Sequence, residues 1–270
     1  MAAVEVRQRI AEPELVALPQ VAIRSLGAFV VEREGEVVPA AAWQSKKARD
    51  VLKLLLCCRG RPATREALIE ALWPEQDPRR TSNRLSVALS TARAVLDPDH
   101  RLASDYFICA NRYAIRLECD KLDIDVERFL GAARAGLCLL RAGQHAAAAG
   151  QLLAAEAAYT GDFLEEDLYE DWAFSLREEA HANYVAVAGA LALLADANGD
   201  HEEAIRLRVR VLERDPYDEA AHLALIASHE AAGHHGHAHR AHRRYAERMH
   251  EIGVVPRRPT EGRAGALRPL

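Results

Sequence analysis

The segment from Ser45 to Leu117 constrains the fold of this 270-residue chain more than any other part. The spacing of its apolar residues predicts two short helices and a long third helix, and two short apolar runs after them predict a β-hairpin. The apolar stripe of the third helix consists of Leu85, Ala88, Leu89, Ala92, Val95 and Leu96. Its opposite face is rich in Arg, Asn, Ser and Thr. Such a helix followed by a basic hairpin predicts a winged helix-turn-helix, in which the exposed face enters a DNA groove.

Capping signals indicate where these helices begin. Ser45 is a predicted N-cap of the first helix and Thr64 of the second, because a side-chain oxygen there accepts from a free backbone N–H of the first turn. Asp77 is the predicted cap of the third helix, and Pro78 occupies its first helical position, where the missing N–H removes no hydrogen bond. The third helix is therefore predicted over residues 77–96.

Composition divides the chain into four predicted parts. Residues 1–20 form a flexible lead-in, and residues 21–119 form the winged-helix domain, which begins with β-like runs of a small antiparallel sheet. Residues 120–255 form an all-α domain, and residues 256–270, rich in Pro, Gly and Arg, form a disordered tail.

Charge separates the two predicted domains. Residues 21–119 carry 16 Lys and Arg against 12 Asp and Glu, whereas residues 120–270 carry 17 against 25. A basic part joined to an acidic part favours a nucleic-acid reader with a protein-binding module.

The five cysteines lack CxxC spacing and are expected to be reduced thiols of a cytoplasmic protein. No export signal or membrane span is expected, since the most apolar run, 185–195, is too short to cross a bilayer.

The second half shows a helical repeat. Gly143, Gly199 and Gly233 each precede a predicted helix with Ala five residues on, and the last two glycines are 34 residues apart, the tetratricopeptide period. The segment 161–172 interrupts the register as an insertion. The predicted fold class is mainly α with a small β-sheet: a winged helix-turn-helix followed by a tetratricopeptide-like all-α repeat domain.

Five strings occur in a fixed order: SKKAR, LIEALWP, NRLSVALSTAR, LDIDVERF and EDW, at 45–49, 68–74, 83–93, 122–129 and 170–172. In this order they resemble bacterial transcriptional activators of the antibiotic-regulatory (SARP) type. Members of that family join a response-regulator-like winged helix to a bacterial transcriptional activation domain of tetratricopeptide-like helices. The resemblance implies that the third helix binds the major groove at repeated promoter sites and that the wing contacts the adjacent backbone. It also implies recruitment of RNA polymerase.

The polar face of the third helix supplies the candidates for reading bases. These are Asn83, Arg84, Ser86, Val87 and Ser90. Arg pairs two donors with guanine O6 and N7, and Asn does the same with adenine. The alternative is that they are solvated helix-surface residues.

Backbone contacts, which position a protein without reading sequence, are expected from a second set. This set is Lys46, Lys47, Arg79, Arg80, Thr81, Arg93 and Arg112. The two lysines lie at a helix N-terminus, where the helix dipole also favours phosphate; the alternative is an ordinary exposed charge pair. Arg112 lies at the predicted hairpin tip beside Asn111.

Two further clusters are interpreted as surface. In the histidine-rich segment 222–250, His235, His239 and His242 share a helical face on which an i, i+4 pair can bind Zn²⁺, but no cysteine or obvious carboxylate completes a site. A polar helix surface is the favoured interpretation, and no metal or cofactor is expected. The acidic cluster within 162–171 is interpreted as an exposed patch for a partner, because no nucleophile accompanies it.

These observations predict a sequence-specific DNA-binding transcriptional regulator that activates by recruiting RNA polymerase. Its expected partners are double-stranded DNA, RNA polymerase and a second copy of the chain in a homodimer, with no membrane and no enzymatic activity. The alternative from another class is a tetratricopeptide-type protein–protein adaptor without specific DNA binding.

Overall fold

The computed structural model describes residues 20–74 and 76–257, and it describes residues 78–80 by their backbone alone. The strands are β1 (Val21–Arg24), β2 (Val30–Arg33), β3 (Glu36–Val37), β4 (Ala63–Thr64), β5 (Ile108–Ala110), β6 (Ala114–Leu117) and β7 (Asp123–Ile124). The helices are α1 (Lys46–Cys57), α2 (Arg65–Leu72), α3 (Pro78–Leu96), α4 (Asp125–Arg141), α5 (His145–Ala158), α6 (Asp171–Ala197), α7 (His201–Arg214), α8 (Glu219–Ala231) and α9 (His235–Glu251). Short 3₁₀ turns span Ala40–Trp43, Cys119–Lys121 and Glu165–Asp167. The predicted fold class, a winged helix followed by an all-helical region, is confirmed.

The capping residues explain where α1 and α2 begin. The Ser45 hydroxyl accepts from the Ala48 N–H at 3.2 Å, and the Thr64 hydroxyl accepts from the Ala67 N–H at 3.1 Å. Each cap satisfies one free donor of the first turn, as predicted. Helix α3 begins at Pro78, the predicted first helical position after the Asp77 cap.

The hairpin after α3 is the predicted wing. Strands β5 and β6 pair antiparallel, and β4, which precedes α2, pairs with the other side of β6. At the tip, Asn111 Oδ1 accepts from the backbone N–H groups of Tyr113 at 2.8 Å and Ala114 at 2.9 Å. This side-chain turn fixes the conformation of the wing tip.

The N-terminal sheet has the strand order β3-β2-β1-β7. Its first three strands are antiparallel, as predicted, but β7 pairs parallel to β1 and lies about 100 residues further along the chain. Periodicity could not reveal β7, because two residues carry no period of their own. The sheet therefore crosses the predicted domain boundary at 119/120.

Asp125, at the start of α4, holds this crossing in place. Its buried carboxylate accepts from the backbone N–H of Ser25 at 2.8 Å, from the backbone N–H of Leu26 at 3.0 Å and from the Ser25 hydroxyl at 2.7 Å. These donors would otherwise be buried without partners when α4 covers the end of β1.

The helical region packs as antiparallel neighbours, with α4 on α5, α6 on α7 and α8 on α9. Each pair turns at a predicted glycine with positive φ: 74° at Gly143, 78° at Gly199 and 74° at Gly233. The alanines five residues later, at 148, 204 and 238, are buried where the paired helices approach. Among the described residues, α6 alone has the length and composition of a membrane span, and here its apolar face packs on neighbouring helices.

The segment between α5 and α6, predicted as an insertion, docks onto the N-terminal sheet. Phe163 is buried and forms a β-bridge with Leu26, and the Gly27 N–H donates to the Asp162 carbonyl at 2.9 Å. One continuous apolar core consequently runs from β1 to α8, while the α8–α9 pair encloses a small second core of Ile226, Ala238, Tyr245 and Met249.

Asp125→Ala is expected to lower the free energy of unfolding by about 2–4 kcal/mol, since it leaves several buried donors unsatisfied. Urea denaturation of the full chain measures this change. Asp120→Ala, at an exposed carboxylate on the same connection, is the matched control and should shift stability by less than about 0.5 kcal/mol. Equal midpoints for the two variants would contradict the capping role of Asp125.

Candidate nucleic-acid interface

Helix α3 has one buried and one exposed face. All six residues of the predicted apolar stripe are buried, and α3 packs through them on α1 and α2. All five residues predicted to read bases, at 83, 84, 86, 87 and 90, are exposed. Val87, the apolar member of this set, is 65% exposed. The exposed face is therefore free to meet a ligand along most of its length.

Two of these side chains have partners in the protein. The Ser86 hydroxyl donates to the Ser82 carbonyl at 3.1 Å and accepts from Arg65 Nη2 at 3.0 Å. Arg84 Nη1 donates to Gln76 Oε1 at 2.6 Å, in the turn before α3. These exposed bonds orient the side chains, and each can exchange for a bond to a ligand at little cost because water competes for the same groups.

The structure contradicts the predicted phosphate contact of Thr81. Its side chain is fully buried, and its hydroxyl donates to the Asp77 carbonyl at 3.1 Å. Position 81 lies four residues before Leu85 and seven before Ala88, so it belongs to the apolar stripe. Thr91, three residues after Ala88, is buried for the same reason. The helical spacing in the sequence was therefore sufficient to predict that both threonines are buried.

Arg93 connects α3 to the wing. Its Nε and Nη2 both donate to the Ile108 carbonyl, at 3.3 Å and 2.8 Å. This bidentate contact fixes the distance between the helix and the first wing strand, and it uses two of the donors predicted for phosphate. The side chains of Arg79 and Arg80 lie outside the described residues, so their predicted phosphate contacts stay predictions.

The N-terminus of α1 and the wing tip carry the other predicted contacts. Lys46 is exposed, and Lys47 is half-buried with its Nζ 3.6 Å from Asp50 Oδ2. Arg112 is exposed at the wing tip and lies over the ring of Tyr113, with its guanidinium carbon 4.4 Å from the ring centroid. Neither Tyr113 nor Arg65 was identified from the sequence, although an aromatic residue beside a turn and a basic residue before α3 are both visible there.

The acidic cluster predicted as an exposed patch instead joins the two halves of the molecule. Asp167 is buried and forms an ion pair with Lys53 of α1, which is also buried. Glu166 Oε1 accepts from Lys53 at 2.6 Å and from Arg49 at 2.8 Å. The interpretation as a free patch was wrong for these residues, because sequence spacing could not show that a lysine within an apolar helix would lie opposite them.

A second ion-pair group lies at the other end of α1. Arg59, at φ 51°, donates from Nε to Glu127 Oε1 at 2.6 Å and from Nη1 to Glu179 Oε1 at 3.0 Å. Hydrogen bonds to Glu127 raise the pKa of Arg59 further above its usual range. Nearby, burial raises the pKa of Cys57 to about 12 and that of Cys119 to about 11, so both thiols stay protonated at neutral pH.

Two family models match the chain. The bacterial transcriptional activator domain matches residues 124–268, and the C-terminal domain of transcriptional regulatory proteins matches residues 41–108. The chain belongs to the bacterial transcriptional activator domain family. Together the two matches confirm the resemblance to regulators of the SARP type, and they make the chain a transcriptional regulator.

A solved structure shares the fold. The chain is similar to Mycobacterium tuberculosis EmbR, solved in complex with a low-affinity phosphopeptide, with a TM-score of 0.73 and 24% sequence identity. The similarity covers 90% of this chain and 63% of the EmbR chain, so this chain spans less than two thirds of that protein. A search of curated proteins by sequence found no match.

Asp50 lies in α1 near Lys47 and Lys53, and the pKa of its carboxyl group is shifted from the ordinary value. It is buried, and its Oδ1 has no hydrogen-bond partner among the described residues. Burial raises its pKa, while Lys47, Lys46 and Lys53 oppose the shift. Since the folded-state pKa lies above that of the unfolded chain, ionisation of Asp50 destabilises the fold at neutral pH, and this cost is absent below an unfolded-state pKa of about 3.9.

Asp50→Asn is therefore expected to unfold at a higher denaturant concentration than the wild type at pH 7. The difference should shrink as the pH falls towards about 4. Denaturant unfolding across this range measures it, with Asp105→Asn, at an exposed carboxylate, as the control. A wild type that is the more stable protein at pH 7 would show that Asp50 stabilises α1 as an anion.

Proposed function

We propose that the chain is a sequence-specific DNA-binding activator in which α3 reads base edges in the major groove. The observation that carries this proposal is the exposed face of α3, where all five predicted base-reading side chains are exposed to solvent while the residues of the opposite, apolar stripe are buried. Arg84 and Asn83 supply donors for purine edges, and Val87 supplies a methyl surface that suits thymine. Ser86 and Ser90 bond to the base edges on either side.

Phosphate contacts come from residues on several elements of the winged-helix domain, including the N-terminus of α1 and the wing tip. Lys46 at the N-terminus of α1 and Arg112 at the wing tip are exposed, and Lys47, Arg79, Arg80 and Arg93 complete the set. Because Arg93 Nε and Nη2 bind the Ile108 carbonyl, Arg93 holds the wing at a fixed distance from α3, and its remaining amino group supplies the DNA backbone contact.

The two predicted domains have different roles in this proposal. Residues 21–119 bind DNA, and residues 120–255 contact RNA polymerase and a second copy of the chain. Exposed apolar side chains around the start of α6 favour a protein partner there, since Tyr169 is 99%, Phe174 60% and Leu168 57% exposed. Of the predicted lead-in and tail, residues 1–19 and 258–270 lie outside the described residues.

Arg84→Ala should cost about 1–3 kcal/mol of binding free energy on the selected site and relax the sequence preference at one position. The measurement is selection of genomic fragments by the purified protein, repeated at two salt concentrations. Arg134→Ala, which removes an exposed arginine from α4, is the matched control and should select the same motif as the wild type. Uniform weakening on all sequences by Arg84→Ala would place Arg84 on the phosphate backbone.

Lys46→Ala should weaken binding to every sequence by a similar factor and reduce the slope of log K against log salt by about 1. Fluorescence anisotropy with a selected and a scrambled duplex measures both effects. A loss confined to the selected duplex would contradict the phosphate role. If the wild-type protein binds no duplex, or binds with no salt dependence, the alternative function, a protein–protein adaptor without specific DNA binding, becomes the better interpretation.

A further inference from the structure

The α7, α8 and α9 helices bring three histidines and a carboxylate together at one end of the repeat. His229 lies near the end of α8, His234 in the Gly233 turn and His237 in the first turn of α9. Their ring centroids are 6.1 Å apart for His229 and His234, 5.3 Å for His229 and His237, and 5.9 Å for His234 and His237. Glu202 of α7 approaches the group, with its Oε1 3.5 Å from His234 Nε2.

These spacings are close to those of histidines around one ion. When ring nitrogens bind Zn²⁺ at 2.0–2.1 Å in tetrahedral geometry, the centroids of two such rings lie about 5 Å apart. Within the described residues, no group of three or more His, Cys, Asp or Glu side chains is placed to hold a metal ion with the side chains as they stand. The rings of His234 and His237 must therefore turn inwards, and both can do so because they lie in the surface turn and the first helical turn after it.

An unsatisfied nitrogen points to a ligand at this position. His229 Nδ1 is buried and has no hydrogen-bond partner in the described part of the chain. A buried polar atom without a partner costs free energy, and a bound ion would satisfy it. Arg240 opposes a cation here, and Glu202 offsets that repulsion.

We propose that His229, His234 and His237, with Glu202 as the fourth ligand, form a binding site for a divalent transition-metal ion of the Zn²⁺ type. This set differs from the His235, His239 and His242 face that the sequence suggested. An ion held there would link α7 to α8 and α9. The α8–α9 pair is otherwise held together by a small second core of only four buried residues among those described. The site would then stabilise the end of the repeat.

Co²⁺ and Zn²⁺ titration of the full chain tests the proposal. Co²⁺ should give the strong visible absorption of tetrahedral coordination at one equivalent, Zn²⁺ should displace it, and Zn²⁺ should raise the midpoint of thermal unfolding. His237→Ala, at an exposed position, should weaken Zn²⁺ binding by more than about tenfold without affecting the metal-free fold. His229→Ala should have the same effect on binding.

The matched control is the double variant His235→Ala/His239→Ala, which removes the exposed i, i+4 pair of the same helix and should leave binding unchanged. Loss of binding in this control with retention in His237→Ala would place the metal on the outer face of α9 and overturn the proposal. Absence of a tetrahedral Co²⁺ spectrum, or no rise of the unfolding midpoint with Zn²⁺, would overturn it as well.

Discussion

The ion pair between Lys53 and Asp167 determines how the two halves of this molecule meet. Lys53 lies in the middle of α1, among leucines, and its side chain is buried. A buried charge of this kind is tolerated only with a partner of opposite charge, and here the partner comes from the segment between α5 and α6. The winged helix consequently cannot turn relative to the helical region without separating two charges in a medium of low dielectric constant.

Buried ion pairs contribute less to stability than to the choice of one arrangement, because desolvation offsets most of the attraction. The contacts around Lys53 fit that role. Glu166 extends the group to Arg49, and Arg59 forms a second ion-pair group at the opposite end of α1 with glutamates of α4 and α6. Helix α1 is therefore held by ion pairs to the helical region, and it also packs on α3.

Sequence reasoning recovered the elements whose signals are local. The caps of α1 and α2, the apolar stripe of α3, the Asn111 turn and the glycine turns of the repeat all depend on spacings of a few residues, and each lies where predicted. It failed where the partner is distant in sequence. Strand β7 forms only because β1 offers an edge, and Asp167 becomes buried only because Lys53 lies opposite it. Thr81 is a different case. Its helical spacing placed it in the apolar stripe, but it was predicted to contact phosphate because its side chain is polar.

The parallel pairing of β1 with β7 has a consequence for synthesis of the chain. Until residues 123–125 have left the ribosome, β1 has a free edge, and the N–H groups of Ser25 and Leu26 lack their acceptor. The N-terminal sheet closes late, on a contact of long sequence separation, whereas the local contacts of α1, α2 and α3 form earlier. The N-terminal module thus matures only when the first helix of its neighbour has emerged, so folding itself links the two parts before any ligand is bound.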